Sequence, residues 1–392
     1  MNKASSLADS VKLPALPPLP ESQPAPAGAW LRRGAVALFL AALFLPGWWY
    51  ADDKYMLPEF TRYMALALFA LSVDLVWGYT GLLSLGQGLY FGLGAYAVAY
   101  SLKLQAAAIA NNKPMVAAAD MALPDFMSWT RLGEVPVWIR PLIDLRIAIP
   151  LAIILPTVVA ALFGYITFRR RIKGVFFSLV TQALLLAVFT VVYNQQPYTG
   201  GVVGMNNLAK LQLFGHRFVG LSMYLLTTIV TIVCFLGCAA LMSSKFGKIL
   251  TAIRDSEYRV LALGYNTAMY KTFVFALAGG LAGLAGALYV SSLGTAGPDR
   301  FGISFSIEIV IFVAVGGRGT LIGAILGAIL VSWANTTIND VATNYWMFFL
   351  GGLFILVTVF LPEGIIGGIR KLAGLLRRRH GKKLGSLAAE VV

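Results

Sequence analysis

Apolar runs of about 20 residues, long enough for a helix to cross a bilayer, alternate along this chain with short polar or glycine-rich links. The pattern predicts spans at 31–50, 60–78, 85–104, 147–168, 174–193, 219–242, 272–293 and 345–361. A further apolar run, 303–335, is interrupted by Gly316, Gly317, Arg318 and Gly319. Between the sixth and seventh runs the character changes. In GKILTAIRDSEYRVLALGYN, Ile249, Ile253 and Val260 recur near helical spacing with Leu250 and Leu261 beside them. Lys248, Arg254, Asp255, Glu257 and Arg259 supply the charge, and Gly264 follows Leu263 where a left-handed helix stop is easiest. Spacing alone reads this as a solvated loop helix or a membrane-surface helix. Residues 103–146, with Pro114, Pro124, Pro136 and Pro141 and mixed charge, are too polar to span.

Composition agrees with a membrane protein: 58% of residues are hydrophobic and 12% charged. The net charge of +14 would suit nucleic acid, but the charges are sorted by side, as the positive-inside rule requires, so no nucleic acid is expected as a partner. Residues 1–29, with Pro14, Pro17, Pro18, Pro20, Pro24 and Pro26, read as a disordered tail without the apolar core of a secretory signal. The run 31–50, led by Arg32 and Arg33 and closed by Trp48, Trp49 and Tyr50, is therefore expected to stay as a span. Parity decides the interrupted run. If 303–335 forms a hairpin, the cluster Arg169, Arg170, Arg171 and Lys173, the loop 245–271 and the basic tail 369–392 all lie inside with the N-terminus. The expectation is an all-α polytopic membrane protein of about ten segments, with a transmembrane domain at 30–368 and both termini cytoplasmic. Segments two to five and seven to ten then run in opposite senses, an inverted repeat of the transporter kind.

The chemistry is mostly one of exclusion. There is no GxxxxGK[ST] loop for ATP, no Ser-His-Asp, Cys-His or paired-carboxylate set, and GQGLYFG fails the dinucleotide spacing. Cys234 and Cys238 sit one turn apart in an apolar run and read as packing residues; with His216 and His380 far away, no metal site is expected. Asp74 and Glu308 are costly in hydrocarbon, so each needs an interior partner or a proton; either a substrate or proton site, or bonding to groups such as Thr80, Ser84, Thr181 or Gln182, would meet that need. Three small-xxx-small pairs, Gly88 with Gly92, Gly279 with Gly283 and Gly323 with Gly327, point to close helix packing.

At GYTGLLSLGQGLYFGLGAYAVAY the chain resembles the permease subunits of branched-chain amino acid ABC importers. AIRDSEYRVLALGYN, YKTFVFALAGGLAGLAGALY, VAVGGRGTLIGAILGAIL and WMFFLGGLFILVTVFLPEGIIG follow in the family's order, so the resemblance covers roughly 60–369. RDSEYRVLALGYN, VAVGGRGT, GVFFSLVTQAL and the long insertion are most similar to the urea-type permease. The family often has His where this chain has Gln87, and the proline-rich tail has no family counterpart.

The resemblance implies a second homologous permease, a pair of cytoplasmic ATPase subunits that hold the ATP, and a periplasmic solute-binding protein. This chain itself would bind no cofactor. It also implies that Lys248 to Asn266 form the segment seated in the ATPase, with Arg254, Asp255, Glu257, Tyr258, Leu263 and Gly264 as the coupling residues. The stripe Ile249, Ile253 and Val260 is expected to enter a partner groove, and the charged face to meet its rim. Urea is small, planar and uncharged, so its path asks for neutral hydrogen-bonding groups. Gln87, Tyr90, Thr181 and Gln182, bordered by Glu308, suit it without excluding an amino acid. A passive channel or secondary transporter is the alternative of a different class; it leaves the charged helix at 245–271 without a job.

Overall fold

The structure, a computed structural model, describes residues 29–113, 121–130, 133–172, 174–213, 215–342, 345–360 and 364–368. The expectations for the proline-rich stretch up to residue 28, the centre of the polar insertion and the basic tail 369–392 lie outside the described residues. The described residues up to Leu45 belong to one unit and those from Pro46 to another. The first contains α1 (Ala29–Ala42). A new short helix, α2 (Leu45–Trp49), follows, so the expected single span 31–50 is two helices. Pro46 explains the restart: it lacks an N–H and is tolerated in a helix only within the first turn.

After α2 the second unit continues into α3 (Met56–Thr80), introduced by Asp53. Its Oδ1 accepts from the N–H of Met56 (3.1 Å) and of Tyr55 (2.8 Å), and these donors hold the carboxyl below the ordinary range. Then come α4 (Gln87–Ala110), α5 (Asp125–Ser128), α6 (Leu145–Arg169), α7 (Val175–Asn194) and α8 (Gln196–Thr199). A two-residue hairpin, β1 (Gln212–Leu213) against β2 (His216–Arg217), precedes α9 (Leu221–Ser243), α10 (Lys245–Ala262) and α11 (Thr267–Leu293). The chain continues through α12 (Ile303–Gly316), α13 (Leu321–Ala342) and α14 (Trp346–Phe360). The interrupted run is thus a helical hairpin, and its first arm, 14 residues, reaches only about 21 Å at 1.5 Å per residue. α11 starts five residues earlier than the hydropathy pattern placed it, because the Asn266 side chain caps the Met269 N–H (3.3 Å) and carries Lys271 into the helix.

Among the described residues six helices are long and apolar enough to cross a membrane: α3, α6, α7, α9, α11 and α13 to Asp340. They divide by burial. α3 and α11 are buried over 78% of their apolar windows; α6, α7 and α9 only over 28%. α3, α4 and α11 therefore form the centre, with α6 on α4 and α11, and α9, α12 and α13 on α3. The outer helices expose Ile154, Val158, Leu162, Phe176, Leu179, Val233 and Leu236. So continuous an apolar face is costly in water and favourable against lipid.

Candidate functional site: the intramembrane loop and the α10 surface

α3 stops at Gly81 (φ 74°), and six non-helical residues lead to α4. This loop is not at the surface. The Leu83 carbonyl accepts from Ser178 Oγ (2.7 Å), the Leu85 N–H donates to Thr181 Oγ1 (3.3 Å), and the Gly88 N–H donates to Ser306 Oγ (2.9 Å). Irregular backbone inside a bundle is stable only where protein groups satisfy it, and α7 and α12 supply them here. A Cβ at Gly86 would strike the Thr181 carbonyl. The same layout recurs later: α11 ends at Gly294 (φ 77°), an irregular segment follows, and α12 begins beside the first turn of α4.

This arrangement sorts the path residues. Gln87 is the first residue of α4; it is 1% exposed, and among the described residues neither its Nε2 nor its Oε1 has a partner. Ser84 Oγ, in the loop, is equally buried and unpartnered. Tyr90 is buried with its ring edge on Phe275 (5.6 Å, 88°). Thr181 is engaged: its hydroxyl donates to the Ser178 carbonyl (2.8 Å) and accepts from Leu85. Gln182, one residue on, is half-buried. Glu308 lies elsewhere, on α12, where its Oε1 accepts from Asn335 Nδ2 on α13 (3.3 Å). Asp74 is fully buried and its Oδ1 accepts from the Gly319 N–H (2.6 Å), not from a hydroxyl or amide side chain as the sequence suggested. A backbone donor on the α12–α13 turn could not be foreseen from residue type.

The glycines mark close approaches. A Cβ at Gly88 would meet Ser306 Oγ, one at Gly92 the Phe301 ring, and one at Gly279 the Ala160 side chain. At Gly283 it would meet the Ala152 carbonyl, at Gly323 the Thr320 hydroxyl and at Gly327 the Phe312 carbonyl. The central crossing of α4 and α11 rests on two glycines outside those pairs, Gly94 against the Gly283 backbone and Gly286 against the Phe91 carbonyl.

α10 is amphipathic, but its faces are not the ones expected. Of the expected stripe, Ile253 and Val260 are buried in the chain's own bundle together with Leu250, against α3, α9 and α11, and do not await a partner's groove, while Ile249 is half-buried. Ser256 (φ −160°, ψ 95°) is extended and breaks α10 into two pieces. Arg254, expected on the rim, is exposed but spans to the bundle: its Nη1 donates to the Gly78 carbonyl (2.8 Å), satisfying the last turn of α3, while its Nε donates to Asp255 Oδ1 (3.3 Å). Glu257 turns inward, accepting from Lys271 Nζ (2.7 Å) and Thr267 Oγ1 (3.0 Å) at the start of α11. Of the expected coupling residues, Arg254, Asp255, Tyr258, Leu263 and Gly264 remain exposed and Glu257 is half-buried; Tyr258 is 77% and Leu263 75% exposed. Two large apolar side chains on an otherwise charged surface make a small sticky patch. Beside it a cavity of about 350 Å³ is lined by Arg169, Arg171, Tyr258, Leu261, Asn266 and Thr267, among others.

A helical multi-pass membrane protein with buried, non-helical backbone at its centre and an amphipathic helix laid across one end is what these features define. The family described as "Branched-chain amino acid transport system / permease component" matches residues 56–358, and the chain belongs to it. Among its relatives, the high-affinity branched-chain amino acid transport system permease protein LivM of Escherichia coli K12 is 24% identical over 360 residues, covering 84% of this chain and 74% of LivM. The ribose import permease protein RbsC of Haemophilus influenzae is 28% identical over 229 residues, 56% of this chain and 69% of RbsC. The fructose import permease protein FrcC of Rhizobium meliloti is 27% identical over 168 residues, 41% and 46% of the two chains. No solved structure matches. The chain is an ABC-type permease, a transport subunit rather than an enzyme.

Proposed function

We propose that this chain is one of two permease subunits of an inner-membrane ABC importer for urea. Its relatives carry names as different as branched-chain amino acid, ribose and fructose transport, so family membership leaves the solute open. The observation that carries the urea reading is Gln87, a neutral amide buried at a helix start with both of its polar atoms unpartnered. An orphaned buried amide costs about 1–3 kcal/mol, a cost that makes sense where a passing solute or water completes it. Urea, with four N–H donors and one carbonyl, matches an amide that both donates and accepts. Ser84 and, at the edge, Gln182 extend the neutral polar surface. In this reading the two halves of the bundle are an inverted repeat. ATP stays on partner ATPase subunits that seat on Tyr258, Leu263 and the α10 surface, and a periplasmic solute-binding protein delivers the solute to the opposite end.

A second reading, transport of a branched-chain amino acid, is favoured by the 84% of this chain that aligns with LivM. Binding of urea against leucine to the cognate solute-binding protein separates the two. Within this chain, Gln87→Leu is the decisive variant. Removing an unpartnered buried amide should raise the melting temperature, in line with about 1–3 kcal/mol, while lowering urea uptake by the reconstituted complex. Uptake at the wild-type rate with the same gain in stability would make Gln87 a passive defect and remove the basis of the urea reading.

A further inference from the structure

At the end of the bundle opposite α10, α3, α11 and α13 enclose a cleft of about 280 Å³. Liquid water occupies about 30 Å³ per molecule, so the space admits a small solute with its hydration. Its chemistry is one-sided. Ser332, Asn335, Thr336, Asn339 and Asp340 line it from successive turns of α13, and Leu66 is the one aliphatic residue of the lining. The walls are held in place. Glu59 pairs with Arg62, Tyr63 OH donates to Thr336 Oγ1 (2.6 Å), and Tyr55 OH reaches Asp340 Oδ1 (3.5 Å). Behind them, Glu308 takes one hydrogen of the Asn335 amide, and the Asn335 Oδ1 accepts from Asn339 Nδ2. Glu308 is thus a positioning residue that fixes which way the amide ladder faces. One group is left over: Ser332, 4% exposed, has a buried hydroxyl without a partner among the described residues.

We propose that this cleft is a binding site for a small neutral amide with several N–H donors, the class to which urea belongs. The inference rests on the urea reading above for its solute and on the cleft alone for its place. Carboxylate, amide and hydroxyl oxygens on α13 accept N–H donors, while the Arg62 guanidinium and the Tyr289 hydroxyl stand across from them as donors for a carbonyl. A leucine zwitterion would bring an isobutyl group for which Leu66 is the one aliphatic contact, beside the rings of Tyr55, Tyr63 and Tyr289, so leucine is the competitor the test must include. The cleft lies apart from Gln87 and gives the solute a first station near the open end of the bundle.

The test uses the full chain with Cys234 and Cys238 replaced by Ala. Leu66→Cys places a thiol in the cleft without touching its hydrogen bonds, and Tyr258→Cys on the exposed α10 surface serves as control. Urea and, separately, acetamide should slow methanethiosulfonate modification of Leu66→Cys by about threefold at twice the dissociation constant, leaving Tyr258→Cys and the leucine control unchanged. Adding Glu308→Ala should abolish the protection. Equal slowing at both thiols, protection by leucine, an unchanged rate, or a thiol that never reacts would each overturn the proposal. Saturation-transfer NMR of the unmodified chain with acetamide, lost in Asn335→Leu, gives a readout that needs no reporter thiol. Protection by acetamide without urea uptake by the complex would keep the cleft and remove the urea reading; uptake without protection would do the reverse.

Discussion

Asp74 and Glu257 are two acids whose work depends on what they touch. Asp74 holds the Gly319 N–H, tying the tip of the α12–α13 hairpin to α3, while Arg318 lies over the Trp77 ring at 5.4 Å on the same turn. Asp74→Asn keeps an acceptor oxygen and should be mild. Asp74→Leu strands the half-buried Gly319 N–H and should lower stability by about 1–3 kcal/mol, read as a drop in the melting temperature of the purified chain. Equal melting of the two variants would mean that the turn holds without the acid. Glu257 shares its carboxylate with Lys271, whose side chain is 6% exposed against 15% for its own. Breaking so buried a pair from one side costs about 3–5 kcal/mol. Glu257→Arg should therefore cause misassembly, and the exchange Glu257→Lys with Lys271→Glu should recover most of the expression. If Glu257→Arg folds normally and loses only ATPase stimulation, the residue faces a partner after all.

At the scale of elements, hydropathy made most of the bundle legible, because an apolar run of bilayer length has few alternatives. It also located α10, from spacing and the Gly264 stop. It could not say which face of α10 turns inward. Both faces of such a helix carry groups that either water or protein can satisfy, and the deciding contacts, Gly78 and Lys271, come from other parts of the chain. The Gln87 loop was hidden for a similar reason: LLSLGQG is apolar enough to look like the start of a span, and only Ser178, Thr181 and Ser306 reveal it as buried coil. The polar face of α13 passed unnoticed because Ser332, Asn335, Thr336 and Asn339 are uncharged and dilute among apolar neighbours. The inward fit of α10 separates two roles within it. Gly264 has φ +85° with nothing within 4 Å of an added Cβ, so Gly264→Val meets only backbone strain, about 1–2 kcal/mol. Leu263→Ala removes an exposed side chain and should leave melting unchanged. We expect Leu263→Ala to lower solute-stimulated ATPase activity of the assembled complex at constant stability, Tyr258→Ala to lower that activity as well, and Gly264→Val to lower both activity and stability. Full stimulation in Leu263→Ala with Tyr258→Ala would exclude this surface as the ATPase seat.

For the molecule as a whole, the ends of the second unit differ in charge. The end that carries α10 gathers Arg169, Arg170 and Arg171 at the close of α6, Lys245, Lys248, Arg254 and Arg259 on α10, Lys271 at the start of α11 and Arg318 on the hairpin turn. Hydrogen bonds place these segments together: Arg254 reaches Gly78, and Gly319 reaches Asp74. The other end holds acids, Asp53 and Glu59 at the start of α3, Asp144 at the start of α6 and Asp340 beside Tyr55, interleaved with bases such as Lys54, Arg62, Arg140, Arg146, Lys210 and Arg217. There too the Leu208 N–H meets the Gly294 carbonyl at the close of α11, and Lys103 pairs with Asp125 (2.6 Å). The described Lys and Arg divide between both ends and the acids alone differ, so the orientation rests on the proposed ATPase seat on α10: that end should face the cytoplasm and the 199–219 segment the outside. In a background without Cys234 and Cys238, an impermeant maleimide applied to intact spheroplasts should label Lys210→Cys and His216→Cys, and should reach Tyr258→Cys only after lysis. Labelling of Tyr258→Cys in intact spheroplasts would invert the molecule. It would put the α10 surface out of reach of any cytoplasmic ATPase and the polar α13 cleft on the side from which no importer receives its solute.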